Sequence, residues 1–556
     1  MSAWDWAVLA SWLSFTILYG LYRSRGKQTT QSYLLAGKSM PWYAMGLSIM
    51  ATQASAITFI STTGQAYVDG MRFVQFYFGL PLAMIILSMT AVPLFHRANV
   101  YTAYEFLEQR FDRRTRILVS IVFLIQRGLG AGLALYAPAV VLSVVLGWPE
   151  QVTTLFMGLL VIAYTTLGGV KAVTWSDVQQ MLLIFAGLIL ALVLAVVRLP
   201  EEIGLLDAVA LAGAAGRLNA VVTKFDWNDR YNLWSGLFGG MFLALAYFGT
   251  DQSQVQRYLT GRSIAQSRLS LLFNAMAKIP MQFFILFIGT MVFVFFVFER
   301  PPLLFQPADL KNLEREPAYS SVVRRFDEAH QVRRESARAY LEARKRHDPA
   351  GQTKALRTYR QAQASLDQAR AEAARLLGAG PDTNYIFLNF VIRYMPVGVV
   401  GLIVAVIFAA AMSTISGEVN SLATVTVMDV YRPLVKSGAT DSHYLWASRG
   451  ATIFWGLYAV AFAGFGGRLG SLIEAVNIVG SLFYGGMLGV FVLAFFFRFV
   501  GAQGAFWGVL AGEAAIFYCW RFTSISFLWY NVIGCLVVIA VGCLLSLTRL
   551  RRSSAV

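Results

Sequence analysis

The stretch Ser48-Ile49-Met50-Ala51-Thr52-Gln53-Ala54-Ser55-Ala56-Ile57-Thr58 lies in the middle of an apolar run, where leucine and valine would be expected. Small and hydroxylated residues cluster there instead. In hydrocarbon every backbone polar group needs a partner, so such a cluster suits an unwound helix whose free carbonyls face a cavity and hold a cation. Close helix packing by small residues is the competing explanation. The surrounding composition decides the class: 57% of the 556 residues are hydrophobic and 14% charged, whereas a soluble domain carries roughly 25% charged residues. The chain reads as an all-α polytopic membrane protein.

Apolar runs of about 20 residues can cross a bilayer. About thirteen occur, at roughly 5–22, 41–63, 73–95, 117–146, 152–169, 176–198, 232–256, 271–298, 386–428, 445–465, 471–497, 504–520 and 526–548. The ninth is too long for one crossing; a surface helix ending at Tyr394-Met395-Pro396, then a span from about 397, accounts for it. In the seventh, Tyr247-Phe248-Gly249-Thr250-Asp251-Gln252-Ser253-Gln254-Val255-Gln256-Arg257 places a glycine, an acid and several amides together. This predicts a second broken helix, five spans after the first, and hence two inverted five-helix repeats over spans 2–6 and 7–11.

The net charge of +16 follows topology, not nucleic acid. An external N-terminus and a cytoplasmic C-terminus place Arg23, Arg25, Lys27, Lys38, Arg97, Arg110 to Arg116, Arg257, Arg262, Arg432, Lys436 and Arg549 to Arg552 inside. The opposite short loops carry almost no positive charge, as the positive-inside rule requires. Trp6 to Leu21 lacks a basic leader and a small-residue cleavage site, and is expected to be a retained helix.

Residues 300–385 divide the chain into spans 1–8 (1–299) and 9–13 (386–556). This insert is charged, with two helical arms flanking Asp348-Pro349-Ala350-Gly351. Val322, Phe326, Ala329 and Tyr340 stripe the first arm; Leu356, Tyr359, Leu366, Ala369, Ala373 and Leu376 stripe the second. The pattern predicts an antiparallel hairpin on the external side, either a decoration on the outer face or a docking site for a partner protein.

The ninth span contains Ala409-Ala410-Ala411-Met412-Ser413-Thr414-Ile415-Ser416-Gly417-Glu418, a second set of neutral oxygens of the kind a hard cation such as sodium prefers. Arg127, in Gln126-Arg127-Gly128-Leu129-Gly130 of the fourth span, would grip a carboxylate bidentately or pair with Glu418. A membrane enzyme would need a nucleophile with its base, or metal ligands. His96, His330, His347 and His443 all fall outside the spans, and Cys519, Cys535 and Cys543 have no ligand spacing.

Four blocks carry a family resemblance: Tyr101-Thr102-Ala103-Tyr104-Glu105-Phe106-Leu107 with Arg110-Phe111, Gly168-Gly169-Val170-Lys171-Ala172-Val173-Thr174-Trp175-Ser176-Asp177, Gly249-Thr250-Asp251-Gln252 with Val255-Gln256-Arg257-Tyr258-Leu259, and Ser413-Thr414 with Met428-Asp429-Val430-Tyr431. Apart from the insert, the chain resembles the sodium:solute symporter family, whose ten-helix inverted-repeat fold also occurs in neurotransmitter-type sodium symporters. The resemblance implies sodium-coupled import of a small polar solute (a sugar, an acidic sugar or another organic acid) by alternating access, in the cell membrane. A transporter-like sensor acting through a partner at the hairpin is the alternative. By position, the shared sodium site would use carbonyls of Ala51, Ala54 and Ala410 and hydroxyls of Ser413 and Thr414. Asp177 and Ser416 match a second sodium site of some members, but Gly417 stands where those have another serine. Thr58 and Tyr77 replace a glutamine and a glutamate of sugar-binding members, while Ser55, Thr58 and Arg127 are similar to the pocket of sialic-acid-transporting members. Gln53, Phe73, Asp251 and Asn477 complete the expected substrate cavity.

Overall fold

The computed structural model describes residues 1–23, 29–464 and 471–553. Arg25 and Lys27, which support the predicted orientation, lie outside the described residues, as does the end of the tenth predicted span. Sixteen helices frame the description: α1 (Ala3–Arg23), α2 (Trp42–Gln53), α3 (Thr63–Asp69), α4 (Arg113–Leu146), α5 (Glu150–Val197), α6 (Leu205–Ala214), α7 (Gly240–Gly249), α8 (Gln252–Leu259), α9 (Ile264–Phe298), α10 (Tyr319–Lys345), α11 (Pro349–Leu377), α12 (Val399–Val425), α13 (Asp441–Ala463), α14 (Leu472–Phe496), α15 (Ala502–Phe522) and α16 (Phe527–Ser553). No strand occurs among the described residues, only one bridge between Met40 and Gly261.

Both predicted breaks are present. α2 ends at Gln53, Ala54 leaves helical geometry (φ −84°, ψ 57°), and the helix resumes through a π-turn at Thr58–Thr62 into α3. α7 ends at Gly249; Asp251 starts α8 by accepting from the Ser253 amide (2.9 Å). The 48 residues of α5 would run about 72 Å if straight. They bend at Gly169, whose φ of 61° and ψ of −171° suit only glycine and let it lie against Tyr33. Seven described segments are long and apolar enough to cross a bilayer. One of them, Thr58–Ala98, contains α3; α2, α7 and α8 are shorter helices, and α5 joins two predicted spans in one.

Large apolar side chains on α5, including Leu155, Phe156, Leu159, Leu182, Ile189 and Val193, are exposed. In water such a surface would drive aggregation; a bilayer covers it. α12 is buried along almost its whole length. Its first turn has no cap from its own residues, and Asp5 of α1 supplies one by accepting from the Gly398 (2.7 Å) and Gly401 (3.0 Å) amides.

α10 and α11 form the hairpin, turning at Asp348, which caps α11 by accepting from Gly351. The predicted apolar stripes divide. Val322, Phe326, Ala329, Leu366, Ala369 and Ala373 close a separate cluster with Leu303, Leu304 and Leu313. Tyr340, Leu356 and Tyr359 pack on the main helix-bundle core. Leu376 is turned out, and Leu377 takes the place expected of it. At the hairpin root, buried Arg333 donates to the Phe296 carbonyl and to Gln363 Oε1. Near the turn, Arg338 pairs with Glu202, and Arg344 and Lys345 pair with Asp207 of α6.

Candidate functional site

The break after α2 leaves a gap in the backbone ladder. The Ala54 amide makes the last rung to Met50 (2.8 Å), and the next begins from Thr58 to Ser55 (2.9 Å). The Thr52 carbonyl accepts from Thr414 Oγ1 of α12 (3.0 Å), and the Gln53 carbonyl accepts from Thr58 Oγ1 (2.9 Å). Thr414 Oγ1 also reaches the Ala410 carbonyl (3.1 Å). Ala51, Ala54, Ala410, Ser413 and Thr414 are all buried, and the Thr414 hydroxyl brings the neutral carbonyls of Thr52 and Ala410 together between the α2 break and α12. That donor chemistry fits an alkali cation.

The two residues expected to frame a second sodium make bonds to different partners. Asp177 on α5 accepts from Ser413 Oγ (2.5 Å), Ser48 Oγ (2.5 Å) and Arg257 Nη1 (2.7 Å). Ser416 Oγ instead donates to the Ser413 carbonyl of its own helix (3.1 Å). A β-carbon at Gly417 would overlap Arg257 Nη2. The guanidinium therefore lies where a side chain at 417 would be, and supplies the positive charge beside Asp177.

A cavity of about 120 Å³ lies beside the first break, with residues just before the second, Tyr247 and Phe248, on its wall. Of the predicted substrate residues, Gln53, Ser55, Thr58, Tyr77, Arg127 and Asn477 line it. Phe73 and Asp251 do not. Phe73 is fully buried, stacked on Phe76 with Tyr231 against its edge. Asp251 sits behind Arg127, ion-paired to it and accepting from Tyr484 Oη (3.0 Å). Arg127 also donates to Glu418 Oε1 (2.8 Å) and Tyr484 Oη (2.7 Å). Its charge is thus taken up by two acids of the protein.

Sequence reasoning passed over Lys278. It is the one charged residue in the predicted span 271–298, a sufficient signal in itself because ionisable groups in hydrocarbon are costly and usually functional. Lys278 is buried on α9 and lines the cavity; its ammonium has no hydrogen-bond partner among the described residues and faces the Tyr77 ring at 5.5 Å. Asn274, one turn earlier, accepts from Gln53 Nε2 (3.1 Å) and ties α9 to the α2 break.

Paired broken helices, neutral oxygens at the first break and a cavity with a few polar and charged residues on its wall are the layout of an ion-coupled secondary transporter. The sodium:solute symporter family model matches residues 33–306 and 372–512, leaving out most of the hairpin. The chain belongs to the sodium:solute symporter family and is a multi-pass, sodium-coupled transporter. It is 28% identical over 519 residues to sodium-coupled monocarboxylate transporter 1 of Xenopus laevis, covering 92% of this chain and 71% of that one. It is 26% identical over 547 residues to the sodium/sialic acid symporter SiaT of Proteus mirabilis, covering 97% and 94%. Its fold matches a solved Na+-coupled sialic acid symporter in a substrate-bound outward-open state, with a TM-score of 0.76, 25% identity and 98% of each chain covered.

Proposed function

We propose that this symporter imports a small organic acid, binding the carboxylate at Lys278. The observation that carries this is the unpartnered ammonium of Lys278 in the cavity wall. A lone buried charge is expensive unless a ligand meets it, while Arg127 already holds Asp251 and Glu418. The relatives named for monocarboxylates and sialic acid support the same class. One sodium per cycle would bind at the carbonyls of Ala51, Ala54 and Ala410 with the hydroxyls of Ser413 and Thr414; Arg257 takes the role of a second. The N-terminus lies outside and the C-terminus in the cytoplasm, with the hairpin external, as the distribution of arginine and lysine favours.

Sodium-driven uptake into proteoliposomes tests the substrate class with labelled carboxylic acids and their carboxamides. Acids should be preferred, and Lys278→Met should abolish that preference while Lys278→Arg retains part of it. Equal uptake of acids and amides by the unaltered protein would overturn the reading.

A further inference from the structure

The cavity has a second pole. Glu418 lies 4% exposed on α12; its Oε1 takes Arg127 Nη1, but its Oε2 has no hydrogen-bond partner among the described residues, and Glu418 lines the same cavity as Lys278. Four fixed charges stand at or directly behind the wall: Lys278 and Arg127, Asp251 and Glu418. Arg127, Asp251, Tyr484 and Glu418 are bonded to one another, a cluster with one acid in excess. Lys278 is the cation that would balance it, yet it is paired with neither acid.

Neighbouring residues of the α2 break separate the two poles. The Gln53 side chain leans to α9, where its partner Asn274 lies one turn before Lys278. The Thr52 carbonyl takes Thr414 of α12, one turn before Glu418. The unpaired cation and the unpaired carboxylate oxygen therefore stand on different helices, each helix tied to a different residue of the break, and both residues line the one cavity. A ligand of single charge would satisfy one pole and leave the other buried and unmet.

We infer that the substrate is bipolar: a carboxylate that meets Lys278 and carries, at the other end of its skeleton, an ammonium that meets Glu418 Oε2. This rests on the carboxylate reading above. It makes Glu418 the residue that selects among organic acids, since an ammonium between Oε2 and the cavity gives a charge-assisted hydrogen bond. Loading then leaves the cavity's net charge unchanged, because the ligand is a zwitterion.

The test is competition for sodium-driven uptake in proteoliposomes of the full chain, with two matched series. One holds straight-chain ω-amino acids with two to five methylenes; the other holds the same acids without the amine. The expected result is that, at one chain length, the amino acid competes about tenfold better than its des-amino partner. Glu418→Gln, which is isosteric and keeps an acceptor for Arg127, should reduce that ratio to near one, while Glu418→Asp should keep part of it with the optimum moved to a longer chain. Melting temperatures of the variants guard against a folding defect. Des-amino acids competing as well at every length would overturn the inference and leave the carboxylate reading standing. So would an amine advantage that survives Glu418→Gln, or an advantage for ω-hydroxy acids equal to that of the amines. Failure of both series to compete would instead overturn the carboxylate reading.

Discussion

Arg257 Nη2 fills the space that a side chain at Gly417 would occupy, and Nη1 of the same guanidinium holds Asp177 at 2.7 Å. The glycine is needed for the room it leaves, since it sits in ordinary helix within α12. Gly417→Ala should therefore displace the guanidinium tip and weaken its hold on a fully buried carboxylate, at a cost below the about 3–5 kcal/mol of removing one partner of a buried pair. Sodium-driven uptake at matched expression should fall more than tenfold. Gly450→Ala on α13, where nothing stands within 4 Å of the new carbon, should be tolerated.

Thr414 Oγ1 is within 3.1 Å of two carbonyls at the proposed sodium site. Ser413→Ala with Thr414→Ala should raise the sodium concentration for half-maximal uptake at least fivefold in folded protein. The sodium dependence should have a Hill coefficient near one before and after. Unchanged sodium dependence would remove the hydroxyls from the site.

Arg127 is the cation shared by Asp251 and Glu418. Arg127→Ala should lower the melting temperature of the purified protein markedly, because two buried acids lose their cation. Combining Arg127→Leu with Asp251→Asn and Glu418→Gln should restore much of that stability without restoring transport.

His330 in the hairpin is buried, and its Nε2–H donates to the Glu299 carbonyl (3.2 Å). Burial, with Arg333 close by, holds its imidazole down from 6.5 to about 4. Below pH 6.5 the unfolded hairpin takes up a proton that the folded one refuses. Hairpin stability should be full above pH 6.5 and decline as the pH drops toward 4, seen as smaller amide-exchange protection factors, corrected for the intrinsic pH dependence of exchange, in residues 319–377. His330→Gln should flatten that dependence.

The orientation is checked by impermeant thiol labelling of intact cells, with the three native cysteines replaced. Thr353→Cys in the hairpin should react from outside and Ser437→Cys should not. The opposite pattern would invert the topology.

Much of the frame was legible because it is local. Gln53-Ala54-Ser55 and Gly249-Thr250-Asp251 announce helix breaks by placing polar and small residues where a continuous apolar helix would not. Met395-Pro396 announces the break before α12 in the same way, with Met395 extended at ψ 149°. Partnerships were less legible. The sequence presents Ser413 as a hydroxyl ligand for sodium and does not show that it donates to Asp177, 236 positions away. Arg127 and Glu418 were matched as an alternative, yet Asp251 as a second acid on the same guanidinium needed three helices to be placed together. Phe73 looked like a cavity aromatic because spacing alone does not distinguish the side that stacks on Phe76 from the side that faces a ligand.

The hairpin is held by unequal ties. At its root, Arg333 is buried against the end of α9; near its turn, the pairs of Arg338, Arg344 and Lys345 with Glu202 and Asp207 have partly exposed cations at 3.2 to 3.7 Å. Exposed pairs of this kind are worth about 0–1 kcal/mol and fade as salt shortens the screening distance. A sodium titration in which total salt is allowed to rise would thus report two processes at once, ion loading inside the bundle and loosening of the α6 tether outside it. Replacing sodium by an equal concentration of an inert cation such as choline keeps the tether constant and isolates the first.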